Sequence, residues 1–129
     1  MTNQQLLQCL ALHVGNLRRA PQQQFGGIEI GNDVWTGHHV YITDQNHGYD
    51  DLDLPISQQT QPERPVSIGD GSWLGFGTVV LPGARIGRHV TIGANSVVTG
   101  EIPDHSVAVG APARVIRRHV EGQGWVRVD

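Results

Sequence analysis

His47 is the side chain best placed for chemistry in this sequence. It stands in the run Asp44-Gln45-Asn46-His47-Gly48-Tyr49-Asp50, among polar and acidic groups. An imidazole exchanges protons near neutral pH, so it can accept a proton from a hydroxyl and return it to a leaving group. Residue type alone does not single it out. The chain has seven histidines, at 13, 38, 39, 47, 89, 105 and 119, and a lone histidine more often packs or faces solvent. The position of His47 does single it out, because it falls where a regular repeat gives way to a long irregular segment. The single cysteine, Cys9, lies outside that repeat and reads as a small buried residue rather than a nucleophile.

The repeat has a six-residue period. From Ile30 it runs through Thr36 and Ile42, breaks, and resumes at Ile68, Leu74, Val80, Ile86, Ile92 and Val98. Eight of these nine positions are aliphatic, and six of the nine next residues are glycine. Four residues after each comes a small or branched side chain: Val34, Val40, Ser72, Thr78, Ala84, Val90, Ser96 and Ile102, with Asn46 the exception. A fixed period takes precedence over local propensity. Six residues accommodate one short strand and one tight turn, with the aliphatic residue pointing inward and Gly, Asn or Asp permitting a turn at positive φ. Three hexads close one triangular coil, and nine predict three coils stacked at strand spacing. A sandwich would place its turns every 8–12 residues instead.

Composition agrees and narrows the class. The chain has 129 residues, 17 of them glycine, and only 16% are charged. That length allows one domain with a lean core. The net charge of −3 creates no field that would gather nucleic acid. No apolar run approaches the ~18–20 residues of a membrane span, and the run Leu6–Val14 lacks the basic residue that precedes a secretory signal. The expected location is the cytoplasm.

The break is also informative. Ile42 to Ile68 spans 26 positions where six would do, so about residues 46–65 are predicted to leave the coil as a protruding loop. Such an excursion either covers a ligand or packs on a neighbouring subunit. Before the repeat, residues 1–27 form an N-terminal segment in which Leu6, Leu7, Leu10, Val14 and Leu17 suggest a short amphipathic helix. After it, Ala113–Arg118 is expected as a short helix or an extended cap closing the last coil, with 119–129 as a tail.

The hexads, the Asp44–Asp50 run, and the segment Ile102-Pro103 … Val109-Gly110-Ala111-Pro112-Ala113-Arg114-Val115-Ile116 together resemble the hexapeptide-repeat acyltransferases. The similarity is greatest to the branch of galactoside, maltose and xenobiotic O-acetyltransferases, and it covers residues 28–118. It implies an all-β, left-handed parallel β-helix. It also implies a homotrimer with active sites in the clefts between subunits, acetyl-coenzyme A as co-substrate, and no metal. The implied reaction is direct acetyl transfer to a hydroxyl of a sugar, polysaccharide precursor or small xenobiotic in a ternary complex. His47 matches the family's catalytic base.

Other roles follow from the same resemblance. Asp44, Asn46, Asp50 and Trp73 would meet the acceptor. Asp51 and Asp53 read better as loop solvation, and Trp35, His38 and His39 lie near the cleft without an assigned role. Phe76, Ala94, Thr99, Arg114 and Arg117 would line the coenzyme groove. Phe76 replaces a residue that is often small or polar, and Gly100 stands where a lysine is common. Arg114 and Arg117 either reach the nucleotide phosphates or are ordinary charges on a terminal helix. Trp73 either sits beside the thiol or packs at a coil corner.

Two features pull the other way. The family usually carries earlier coils, whose Asn and Asp fall here at Leu17 and Phe25. The chain is then either shortened or has replaced those coils, and a catalytically impaired trimeric scaffold becomes the alternative to an enzyme. A zinc carbonic anhydrase of β-helical type is the remote alternative, because the paired histidines five residues apart that it needs are missing.

Overall fold

The computed structural model describes residues 27–128. The N-terminal segment before Gly27, with its expected helix and Cys9, lies outside the described residues. Among these, every regular strand of the repeat is two or three residues long and ends on an aliphatic hexad position or on Thr36. The first coil comprises β1 (Ile28–Ile30), β2 (Trp35–Thr36) and β3 (Tyr41–Ile42). The second comprises β4 (Val66–Ile68), β5 (Trp73–Leu74) and β6 (Val79–Val80), and the third β7 (Arg85–Ile86), β8 (Thr91–Ile92) and β9 (Val97–Val98). A fourth coil begins with β10 (Glu101–Ile102) and β11 (Ser106–Gly110). It extends the three predicted coils.

Strands of successive coils pair in parallel, giving three sheets in the orders β1-β4-β7-β10, β2-β5-β8-β11 and β3-β6-β9. The hexad positions lie in register: Ile30 opposite Ile68, Leu74 opposite Ile92, and Val80 opposite both Ile42 and Val98. The prism they enclose is filled by one cluster of buried aliphatic side chains. The small or branched residues four positions on are buried as well, from Val34 and Val40 to Ser96 and Ile102. Buried hydroxyls among them are satisfied by neighbouring main chain: Ser72 Oγ donates to the Gly87 carbonyl at 3.0 Å, and Thr78 Oγ1 to the Gly75 carbonyl at 2.8 Å.

The turns use positive φ at the third residue after the strand, where the expected types stand at Asp33, Gly71, Gly77, Gly83 and Asn95, and histidine stands at His39, His89 and His105. The hexad glycines are needed for close approach. A Cβ on Gly69 would lie 2.5 Å from the Gly87 carbonyl carbon, and one on Gly75 would lie 2.8 Å from the Ala94 amide nitrogen. That approach lets the Gly69 amide donate to the Ile86 carbonyl at 2.8 Å, and the Gly75 amide to the Ile92 carbonyl at 2.8 Å. Aspartates latch one corner in addition. Asp70 Oδ1 accepts the Asn32 amide at 2.7 Å, and Asp104 Oδ1 accepts the Arg88 amide at 2.8 Å.

After Gly110 the chain reverses through a cis Ala111–Pro112 bond. The segment expected as a helix or an extended cap is extended: β12 (Ala113–Val120) pairs antiparallel with β11, and β13 (Gly124–Arg127) pairs antiparallel with β12. Val115, Ile116 and Val120 favour a strand, and β11 offers an open edge that a helix would leave unpaired. Residues 119–127, expected as a tail, are therefore part of the sheet. A row of tilted and edge-on rings, His89, His105, His119 and Trp125, with successive centroids 5.6–6.5 Å apart, ties this hairpin to the corner beside it.

Gly69→Ala should lower stability by about 1–3 kcal/mol, because backbone atoms must move. Gly100→Ala should leave it nearly unchanged, because a Cβ there meets nothing within 4 Å. Thermal midpoints of the two variants check the contrast.

The Arg88 amide, and after it the Arg88 guanidinium charge, hold the Asp104 carboxyl below its ordinary value of 3.8. A lowered folded-state value means stability that is present above 3.8 and is lost as the pH falls through the folded-state value. The deficit of Asp104→Ala in thermal midpoint should therefore be largest near neutrality and should shrink at acid pH.

Candidate active site

His47 belongs to the connection between β3 and β4, residues 43–65, and the neck of this loop is firmly held. Asp44 is fully buried. Its Oδ2 accepts the Gly27 amide at 2.7 Å, and its carbonyl accepts the Arg64 amide at 2.9 Å. Gln45 Nε2 donates to Glu63 Oε1 at 3.1 Å, and the Gln45 amide also meets Thr43 Oγ1 at 3.2 Å. The loop thus leaves and re-enters the coil through facing pairs. Asp44, expected to meet an acceptor, instead holds this neck: its side chain has no surface and its bonds go to the chain itself.

Beyond the neck the two limbs of the loop stay close. His47 bridges Thr60 in an antiparallel pair, and the Gly48 amide donates to the Gln59 carbonyl at 3.3 Å. Asn46 Oδ1 accepts the His47 amide at 3.0 Å. His47 is solvent-exposed, and its Nδ1 lies 3.4 Å from the Gln59 carbonyl oxygen. A carbonyl only accepts, so this contact favours the tautomer that carries its proton on Nδ1 and offers the Nε2 lone pair. Asn46 and Asp50 are exposed on the same limb.

The remaining candidates fall into separate places. Trp73 stands on the outer face of the second sheet, directly opposite Trp35 in the neighbouring coil, and is 41% exposed. Phe76 and Ala94 occupy the corner that follows this sheet, in successive coils, and the Asn95 amide donates to the Phe76 carbonyl at 2.7 Å. Phe76 is half exposed and packs edge-on against His39, with ring centroids 5.5 Å apart. Arg114 and Arg117 extend the sheet on β12. Both are exposed, and neither has an ion-pair partner among the described residues. Thr99 lies at the other corner, in the column of Thr43 and Leu81 that the loop leaves from, because the Thr43 amide bonds to Val80 and the Leu81 amide to Val98.

Within one chain, then, the candidates form two groups. His47, Asn46 and Asp50 stand on the loop that leaves from one edge of the β3-β6-β9 sheet, and Thr99 lies along that edge two coils on. Phe76 and Ala94 line the other edge, with Trp73, Arg114 and Arg117 on the sheet beyond it. An open cleft of about 550 Å³ bounded by Arg85, Glu101, Asp104, His105, Arg118 and His119 contains none of them. Sequence reading passed over Gln59, which is only 9% exposed and is the loop's most heavily bonded side chain. Its buried position inside a polar run carries no periodic signal.

Comparison with known proteins places this geometry. Residues 65–100 match the family model of the bacterial transferase hexapeptide, six repeats. A galactoside O-acetyltransferase of Lactococcus lactis is 41% identical over 96 residues, which is 70% of this chain and 43% of that protein. The crystal structure of a maltose O-acetyltransferase from Clostridium difficile superposes with a TM-score of 0.66 at 43% identity, over 74% of this chain and 50% of that one. A hexapeptide-repeat acetyltransferase from Vibrio cholerae, solved with acetyl-coenzyme A, gives 0.65 at 30% identity over 71% and 49%. The chain spans half or less of the length of each of these relatives. Residues 65–100 thus carry the bacterial transferase hexapeptide repeat, and most of the described chain is similar in sequence and fold to hexapeptide-repeat acetyltransferases.

Proposed function

We propose that this chain forms the catalytic coil of an acetyl-coenzyme A-dependent O-acetyltransferase, with His47 as general base. The observation that carries this reading is the His47 imidazole: exposed on a clamped loop, with Nδ1 turned to a main-chain carbonyl and Nε2 free to take a proton. The named activities and the acetyl-coenzyme A of the family relatives supply the reaction class.

In this reading Nε2 of His47 removes the proton of an acceptor hydroxyl as its oxygen attacks the acetyl carbonyl. The tetrahedral intermediate collapses, the coenzyme thiolate leaves, and the proton held on His47 passes to it. A fixed amide or polar side chain stabilises the oxyanion. No acyl-enzyme forms. Asn46 and Asp50 are placed to meet the acceptor, a sugar, polysaccharide precursor or small xenobiotic. Trp73, Phe76, Ala94 and Thr99 line the path of the coenzyme, and Arg114 and Arg117, exposed and without an ion-pair partner among the described residues, take its phosphates.

The same reading makes the protein a left-handed homotrimer whose sites lie between subunits. What supports this is the division of the candidates between two edges of the β3-β6-β9 sheet, which leaves each half waiting for the other. The loop also shows apolar side chains to solvent, with Leu52 96% and Ile56 50% exposed, as a partner-facing segment would.

Release of free thiol from acetyl-coenzyme A, followed across a panel of sugars and hydroxylated xenobiotics, tests the assignment. His47→Ala should lower kcat by about 10²–10⁴-fold. Thiol release by that variant at the parent rate would remove the base assignment. A parent protein that binds coenzyme A but acetylates nothing would favour the scaffold alternative. Arg114→Ser with Arg117→Ser should raise KM for acetyl-coenzyme A about tenfold or more with a smaller effect on kcat, because phosphate contacts are made equally in the ground and transition states.

A further inference from the structure

Gln59 joins the far limb of the loop to the imidazole. Its side-chain Oε1 accepts the Asp51 amide at 3.0 Å, while Nε2 donates to the carbonyls of Asp51 at 2.8 Å and Leu54 at 2.9 Å. The amide group is thus used at both ends by main chain of residues 51–54. The backbone of the same residue faces the other way. Its amide donates to the Ile56 carbonyl at 3.0 Å, and its carbonyl receives the Gly48 amide at 3.3 Å and faces His47 Nδ1 at 3.4 Å. Gly48 leaves no room to drift, because a Cβ there would sit 3.1 Å from both Gln59 Cβ and the Thr60 carbonyl oxygen.

We propose that Gln59 is the positioning residue for His47: its buried carboxamide fixes the carbonyl that sets the imidazole's tautomer and direction. This rests on His47 acting as the base. Three main-chain groups of a polar loop otherwise lack a rigid partner, and the carbonyl facing Nδ1 is stationary only while the side chain holds 51–54 against it. A buried side chain that saturates both its donor and acceptor functions is costly to replace, since each orphaned main-chain group then loses its bond. The consequence for chemistry is specific. With the carbonyl in place the neutral imidazole carries its proton on Nδ1 and offers Nε2. With the carbonyl displaced, the proton is free to move to Nε2 and block the base.

The test uses the whole chain with ¹⁵N-labelled histidine, and compares the parent with Gln59→Met, which keeps the length of the side chain and loses its three hydrogen bonds. Nitrogen shifts of the His47 ring, identified by its loss in His47→Ala, report the tautomer above the pH at which the ring is neutral. The parent should show Nδ1–H. Gln59→Met should shift the population toward Nε2–H and lower kcat by about tenfold to a hundredfold with little change in coenzyme affinity. Ser72→Ala, a buried polar deletion in the coil, should cost stability without moving the tautomer. An Nε2–H parent, or a Gln59→Met protein with the parent's tautomer even if kcat falls, overturns the proposal. The parent spectrum alone decides it should Gln59→Met fail to fold. Full activity in His47→Ala would instead sink the base assignment, and it leaves the ring measurement on Gln59 readable by itself.

Discussion

Everything in this molecule depends on how closely one coil sits on the next. The hexad glycines at 31, 37, 69, 75, 87 and 93 each give their amide to the carbonyl of the aliphatic residue one coil on, at 2.7–2.9 Å. These bonds run along the corners of the prism beside the hydrophobic column, so the backbone is satisfied at the place where each strand ends. A methyl group at the first five of those positions would fall on backbone atoms of the neighbouring coil, and at Gly93 on the Val109 side chain. The aliphatic residue and the glycine that follows it are thus two halves of one device. The first fills the interior, and the second lets the adjacent coil approach closely enough to cover it. Because each coil touches only its neighbours, the last needs closing, and β12 and β13 supply the pairing partners that β11 would otherwise lack.

The candidate site inherits its rigidity from this stacking. Asp44 and Arg64 are neighbours of core strands, and their mutual bond brings the loop back to the point it left. Only three positions separate this anchored neck at Asp44 from His47. On the coil itself, a two-residue strand followed by a fixed corner repeats the same outward direction in each layer. Trp35 lies opposite Trp73 in the ladder, and Phe76 stands one coil before Ala94, without any bond between the side chains being required. A groove built in this way is set by the backbone, which leaves the sequence free to vary what it presents. The Phe76 ring against His39 is one such variation.

The coil was readable because its rule is periodic. Val34, Ser72, Ala84 and Val90 point inward as their spacing demands, and Ile30, Ile68 and Ile86 stack in register. The role of the glycines was less legible. A glycine that permits positive φ and one that permits close approach look alike in a sequence, and only the partner atoms tell them apart. The loop was legible in position and not in wiring. His47 is found by where the repeat stops. Asp44 looks like one more polar neighbour until its burial and its bond to Gly27 are seen, and Gln59 is one glutamine in a run that also holds Gln58 and Gln61. The chain end was half legible: Ala113–Arg118 allowed a helix or an extended cap, and the open edge of β11 decides for the strand.

The central claim is that a site is completed only when the loop edge of one chain meets the Trp73–Arg117 edge of another. Mixed oligomers measure this directly. His47→Ala chains and Arg114→Ser/Arg117→Ser chains, co-expressed with different tags and purified through both, should acetylate at limiting acetyl-coenzyme A well above the summed rates of the two pure variants. An intact loop edge and an intact basic edge then meet at some interfaces. Mixed oligomers no faster than that sum would contradict it, and would place the whole site within a single chain.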